Sequence, residues 1–233
     1  MDYGDIEKQT FKTYLTFSTA LLTLIIIFFT ISSTGYRVTN IIYNELGVLN
    51  YSSLESLKGV SIWLIDDTYF EIFYEDNPTV EKITIKKELP NTLLVSIKIS
   101  DKIAFVEDLR QKPTKKFVLF KNLYASEVEN GEGLMQVVIS NGPVKEGFRE
   151  ELVTFVMTLK KYTIDTSKIL MEYDGVSLSV TSFETLVNLG SPSDLARKAA
   201  VVGYYLEEGA CKGEIRIVYS EDNEEITAIT SCS

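Results

Sequence analysis

The sequence predicts an α+β protein with one N-terminal transmembrane helix. A compact domain in the order strand, helix, helix, strand, strand follows, then a mixed β-sheet domain with two helices. Three observations predict this. Residues Thr13 to Ser32 (TYLTFSTALLTLIIIFFTIS) form twenty positions without a charge, and at 1.5 Å per residue such a helix spans roughly 30 Å, the thickness of a bilayer's hydrocarbon core. Two runs between Val80 and Ile99 alternate apolar and polar residues, the period of half-buried strands. Beyond Asp101 many short β-branched and aromatic runs are interrupted by two segments with helical apolar spacing. The expected division is a stub at 1–12, the span at 13–32, a first domain at 33–101 and a second at 102–233, ending in a short tail.

Lys8 and Lys12 precede the span and Arg37 follows it, a bias that favours a cytoplasmic N-terminus. The alternative is a cleaved signal peptide with Ser32 and Thr34 near the cut. Against it stand the acidic residues Asp2, Asp5 and Glu7 beside the two lysines, an apolar run longer than a usual signal core, and no A-x-A-like site. The expected location is the plasma membrane, single-pass, with both domains outside the cytoplasm.

The first external strand is expected over Tyr36 to Glu45. Ser52-Ser53-Leu54-Glu55 reads as a capping box opening a short helix that stops at Gly59. Asp66-Asp67 and Thr68-x-x-Glu71 mark a second helix, which must end before Asn77-Pro78. Val80 to Lys87 turns Ile83 and Ile85 to one face, and Thr92 to Ile99 does the same with Leu93, Val95, Ile97 and Ile99. Two helices on one face of three strands make a compact unit of about seventy residues.

In the second domain, strands are expected at Ile103–Val106 and Lys116–Phe120, separated by the polar Arg110–Pro113 loop, which is the expected soft connection after the first unit. A strand at Leu134–Ile139 leads to a helix between Lys145 and Tyr162. Ile169–Tyr173 and Val176–Thr181 flank Asp174-Gly175, a hairpin signal. Glu184–Leu189 is a strand, and a helix runs from Ser193 to Glu208 and ends at Gly209. Strands at Gly213–Tyr219 and Glu225–Ile229 close the chain.

The chain has 23 basic and 33 acidic residues, and without the stub 21 and 30 remain, a net charge of −9. Such a surface repels phosphate backbones, so no nucleic acid is expected as partner. There is no histidine, which excludes Ser-His-Asp and Cys-His catalysis and the usual zinc sites. Cys211 and Cys232 are external; a disulfide is conceivable, but two cysteines form no framework. No S-x-x-K or H-E-x-x-H motif occurs, and no cofactor, metal or catalytic residue is expected. Asp66-Asp67 reads as a helix cap rather than a carboxylate pair, and Glu221-Asp222 with Glu224-Glu225 as a solvated turn. Trp63 and the Tyr69–Tyr74 aromatics read as packing between helices and sheet, with an exposed contact surface as the alternative. Of Tyr204-Tyr205, adjacent on one helix, one ring must point outward.

The order of parts resembles the FtsQ/DivIB family of bacterial cell-division proteins. The resemblance is carried by Lys58 to Ile99 (KGVSIWLIDDTYFEIFYEDNPTVEKITIKKELPNTLLVSIKI), similar to the family's POTRA domain at Gly59, Ser61, Ile62, Leu64, Asp66, Asn77, Pro78, Val80, Pro90, Thr92 and Leu93. A second mark is VNLGSPSDLARKAAVVGYYLE, with Leu189, Gly190 and Lys198, and a third is EIRIVY. The E-R-x-P motif that often follows the POTRA domain reads I-S-D-K at Ile99 to Lys102, the first POTRA helix is abbreviated, and the turn near Asn122 lacks its expected glycine. The resemblance implies a β-α-α-β-β POTRA domain and a β domain that bind FtsL/FtsB (DivIC)-type single-span coiled-coil proteins and other divisome membrane proteins. The implied function is a non-enzymatic scaffold coordinating septal peptidoglycan synthesis at the division septum.

The implied contact residues are Gly213, Glu214, Ile215, Arg216, Ile217, Val218 and Tyr219, with Tyr204 and Tyr205. If Gly213–Tyr219 ends the sheet, its free backbone groups can pair with a partner strand; the alternative is that Glu225–Ile229 covers it. In the membrane, Ser18, Thr19, Ala20 and Thr23 are small or polar residues suited to helix pairing. The alternative functions are a membrane-anchored extracytoplasmic protein acting in export, or a cell-wall enzyme.

Overall fold

The uncharged run becomes one helix. In the computed structural model, which describes residues 3–32, 34–44, 46–47, 49–162, 164–207, 212–220 and 225–232, α1 extends over Tyr3–Ser32. Its Phe11–Thr30 stretch is long and apolar enough to cross a membrane, and none of it is buried in the protein. The hydroxyls of Thr16, Thr19, Thr23 and Thr30 donate to carbonyls three or four residues back, at 2.8–3.1 Å. Such bonds hide hydroxyls that hydrocarbon cannot solvate.

The chain divides into two units, Met1–Ile99 and Ser100–Ser233. After α1, the first unit holds β1 (Asn40–Tyr43), α2 (Ser52–Glu55), α3 (Glu71–Asp76), β2 (Val80–Glu88) and β3 (Thr92–Ile99). The sheet order is β1-β3-β2, with β1 parallel and β2 antiparallel to β3. Alternation in β3 sends Leu93, Val95 and Ile97 into a core with Val38, Leu54, Ile62, Ile65, Phe70 and Phe73. Burying eleven such side chains at about 1.5–3 kcal/mol each is what opposes the backbone entropy of this small unit.

Three local expectations are corrected. The first strand is four residues long because Tyr36 to Val38 pair instead with the segment at 59–62: Ile62 N–H donates to Tyr36 O (2.8 Å) and Val38 N–H to Val60 O (2.9 Å). Ser52 does not cap its helix; Tyr51 holds the N-cap position without a side-chain bond. Asn50 Oδ1 accepts instead from the Ser52 N–H (3.1 Å) and hydroxyl (2.7 Å), and Glu55 pairs with Lys58. The aromatic segment is split: Phe70 and Phe73 are buried, while Trp63, Tyr69, Ile72 and Tyr74 are exposed.

Asn77 explains the stop of α3. Its buried amide donates to Phe73 O (3.0 Å) and Asn50 O (2.9 Å), and its Oδ1 accepts from Asn50 N–H (2.7 Å). One side chain thereby ties the last turn of α3 to the segment that leads into α2.

The second unit holds β4 (Lys102–Asp108), β5 (Lys115–Phe120), β6 (Ala125–Glu127), β7 (Met135–Ile139), α4 (Phe148–Leu159), β8 (Ile169–Tyr173), β9 (Leu178–Ser182), β10 (Thr185–Gly190), α5 (Leu195–Glu207), β11 (Gly213–Ser220) and β12 (Glu225–Cys232). They form a nine-stranded sheet in the order β12-β11-β10-β9-β8-β7-β4-β5-β6. Pairs β4–β7, β7–β8 and β10–β11 are parallel, and the last two are joined through α4 and α5. Alternate residues such as Val137, Met171, Val180, Val187 and Ile215 share a core with Leu152, Phe155, Val156, Leu195, Ala199 and Val202 of the helices. Gly203 lets α5 approach the ring of Tyr162, where an added Cβ would lie 2.4 Å from Cδ2.

Two further differences come from backbone geometry. The Arg110–Pro113 loop is not a soft connection between units. It lies within the β4–β5 hairpin, and Arg110 ties it down through both Asp108 oxygens (2.8 and 2.6 Å) and Gly142 O (2.9 Å). The glycine-free turn at Lys121–Tyr124 is made by Leu123 at φ 68°, a left-handed conformation that a branched side chain adopts at some cost.

Candidate partner-binding edge

Strand β11 forms because Ile215 and Ile217 alternate with Glu214, Arg216 and Val218. The two isoleucines are buried toward the helices, whereas Arg216 and Val218 are exposed. Arg216 Nη2 lies 3.5 Å from Glu214 Oε1 on the same face, an exposed pair of small energetic weight.

The strand is not an edge. It pairs in parallel with β10 from Gly213 to Arg216 and antiparallel with β12 along its whole length, Gly213 opposite Cys232 and Ser220 opposite Glu225. Of the two sequence alternatives, coverage by the last strand is the one formed. The outer edge belongs to β12, which sequence reasoning did not propose as a contact element. Its signal was legible: Glu225 to Cys232 (EITAITSC) is rich in β-branched residues, lacks lysine and proline, and has a charge only at its first residue.

The four sheet edges differ in how they are protected. Edge β6 has three residues and β1 four. Edge β2 is long but carries Lys82, Lys86 and Lys87. Only β12 combines eight residues with an almost uncharged sequence. Short length and edge lysines are the usual defences against unwanted pairing, and β12 has neither. On its faces Ile226 and Ala228 pack against the core, while Ile229 stands 58% exposed in register with Arg216.

Helix α5 lines this end of the sheet. Tyr204 is 53% exposed and meets the Tyr205 ring edge-to-face, centroids 5.4 Å apart, while Tyr205 packs on the core. Tyr204 on the helix, and Ile229 and Val218 on the sheet face away from it, are among the large apolar groups exposed at this end. The Tyr219 side chain, Gly209 and Cys211, the Cys232 side chain and the Glu221–Glu224 turn lie outside the described residues.

The bend between β10 and α5 is held by Lys198. Its buried ammonium donates to Ser191 O at 2.5 Å. Burial pulls its pKa down, against the opposing charges of Asp194 and Glu151. Glu151 Oε2 also accepts from Leu195 N–H (2.9 Å), so a carboxylate from α4 satisfies the first turn of α5. Gly190 (φ 64°) and Asp194 (φ 54°) take left-handed conformations on either side of this turn.

Among the described residues no cluster of three or more His, Cys, Asp or Glu side chains is placed to hold a metal ion. Asp66 acts as a cap: its Oδ1 accepts from Thr68 hydroxyl (2.6 Å) and N–H (3.1 Å), and the hydroxyl bond holds its pKa below the usual carboxylate value.

Compared with models of known protein families and with curated proteins, the chain matches none. The functional reading therefore rests on the fold, the open edge and the residue patterns themselves.

Proposed function

We propose that this protein is a non-enzymatic, membrane-anchored scaffold of the FtsQ/DivIB type, which binds FtsL/FtsB (DivIC)-type coiled-coil proteins and coordinates septal peptidoglycan synthesis. In this reading α1 is the anchor, its N-terminus is cytoplasmic, the first unit is the POTRA domain, and the second unit is the β domain that meets the partner. The β-α-α-β-β order and the parallel β1–β3 pairing of the first unit support it.

The observation that carries the reading is β12: a long, nearly uncharged strand at the end of a nine-stranded sheet, beside an outward tyrosine. A partner strand added there gains backbone hydrogen bonds on one side, and Ile229 and Tyr204 supply apolar contact. Docking is thereby reassigned from Gly213–Tyr219 to β12, with Arg216 and Val218 contributing from the neighbouring strand.

Co-reconstitution of the full chain with FtsL/FtsB-type proteins of the same organism tests this. A saturable isotherm weakened at least tenfold by the double change Tyr204→Ala and Ile229→Glu is expected. An unchanged isotherm with the folded variant would remove this end of the sheet as the docking site.

A further inference from the structure

Chain length limits how far the residues that follow α1 can lie from the membrane. Residue Thr30 ends the apolar stretch of α1. The chain then passes through Ser32 and a short 3-10 turn, Thr34–Tyr36. With helical rise where the backbone is helical and full extension elsewhere, Tyr36 lies at most about 14 Å beyond the hydrocarbon boundary. A headgroup layer is about 5–8 Å deep on each side, so Tyr36 lies in that layer or within one aromatic side chain of it.

Tyr36 does not arrive alone. Its carbonyl accepts from Ile62 N–H (2.8 Å), Gly59 N–H donates to Val38 O (2.8 Å), and Arg37 Nη1 donates to Gly59 O (3.0 Å). Its ring packs on Trp63 with centroids 5.7 Å apart. These bonds staple the loop at 59–64 to the exit of the span. The loop presents Trp63 (42% exposed) and Leu64 (53% exposed), while Ile62 and Ile65 on either side are buried. An exposed tryptophan and leucine beside a tyrosine and an arginine form the residue set that partitions into a membrane interface.

We propose that Tyr36, Arg37, Trp63 and Leu64 form a seat in the phospholipid headgroup layer of the membrane that α1 crosses. The inference rests on α1 being a span. The aromatic rings and Leu64 sit among the glycerol backbones, and Arg37, which uses one of its five N–H groups on Gly59, directs others to lipid phosphates. The seat fixes the first unit against the bilayer instead of leaving it on a loose tether. Because the attraction is mainly interfacial partitioning, it survives high salt, unlike the binding of a basic patch.

The chain contains a single tryptophan, so its fluorescence reports on Trp63 without labelling. The test uses the full chain in phosphatidylcholine vesicles containing lipids brominated near the headgroup end of the acyl chain. Expected are strong quenching by the shallow bromines, protection from aqueous iodide, and persistence of both at high salt. Leu64→Glu, at an exposed position, should stay folded and lose most of the lipid quenching. A chain that resists alkaline carbonate extraction yet shows iodide quenching and no lipid quenching would overturn the seat while leaving the anchor intact. Quenching unaffected by a folded Leu64→Glu variant would also overturn it. Release of the chain by carbonate would remove the anchor, and the seat with it.

Discussion

Replacing Arg110 by methionine tests how the second unit holds its β4–β5 hairpin. The Asp108 side chain is only 7% exposed, and Arg110 meets both its oxygens, at 2.8 and 2.6 Å, while reaching Gly142 O at 2.9 Å. Methionine keeps the packing of the stem but leaves a nearly buried carboxylate with the Arg110-position N–H (3.1 Å) as its remaining bond from this residue. Losing a partly buried, bidentate ion pair costs about 2–3 kcal/mol; Arg110 is about a quarter exposed, which favours the lower figure. The pH dependence gives a second handle. The Arg110 hydrogen bonds hold the Asp108 pKa below its ordinary value, so the unfolded chain binds the proton more readily than the folded one. The pair's contribution is therefore complete above the ordinary carboxylate range and is lost as pH falls through the lowered folded value. Thermal melts of the full chain and of Arg110→Met in neutral detergent, at pH 7 and at successively lower pH, measure this. A Tm drop of several degrees at pH 7 that narrows on acidification is expected. A difference below about 0.5 kcal/mol, or one that is the same at every pH, would show that the pair does not hold the hairpin.

Three further expectations follow from the packing and the topology. Gly203→Ala should destabilise by about 1–3 kcal/mol despite alanine's better helix propensity, because its Cβ meets the Tyr162 ring at 2.4 Å; adding Tyr162→Ala should recover part of the loss in denaturant melts. Ile215→Ala should cost about 2–4 kcal/mol, since Ile215 is fully buried, whereas the exposed Arg216→Ala should stay within about 0.5 kcal/mol. A reporter fluorescent only in the cytoplasm should be bright when fused before Met1 and dark after Ser233, and the reverse pattern would overturn the orientation.

What could be read from the sequence was what repeats along it. The uncharged run announced α1, and the alternation of Ile83, Ile85, Leu93, Val95 and Ile97 announced β2 and β3, because period-two burial leaves its mark on every second residue. What could not be read depended on distant partners. The strand expected from Tyr36 shrank because Val60 and Ile62 claim its backbone, and Ser52 lost the capping role because Asn50, two residues earlier, takes its N–H and hydroxyl. The three-residue β6 was missed because it is held by pairing with β5 and carries no alternation long enough to see. For the site, the faces of β11 were legible and its place in the sheet was not. Whether a strand is an edge depends on what lies beside it, and β12 took that place. A proline at Ile215 or Ile217 therefore breaks an interior ladder and reports on folding rather than docking.

Amide hydrogen exchange resolved along Ile226–Ser231 asks whether β12 offers its outer backbone to a partner strand, as proposed. In an antiparallel pair alternate residues direct N–H groups inward to the neighbour or outward. In the free protein, the outward amides of β12 should exchange fast and the inward ones slowly. On adding an FtsL/FtsB-type partner to the full chain in detergent, the outward amides should slow by more than tenfold with little change in β11. A partner that binds saturably while leaving the outward amides of β12 as fast as before would show that it docks elsewhere.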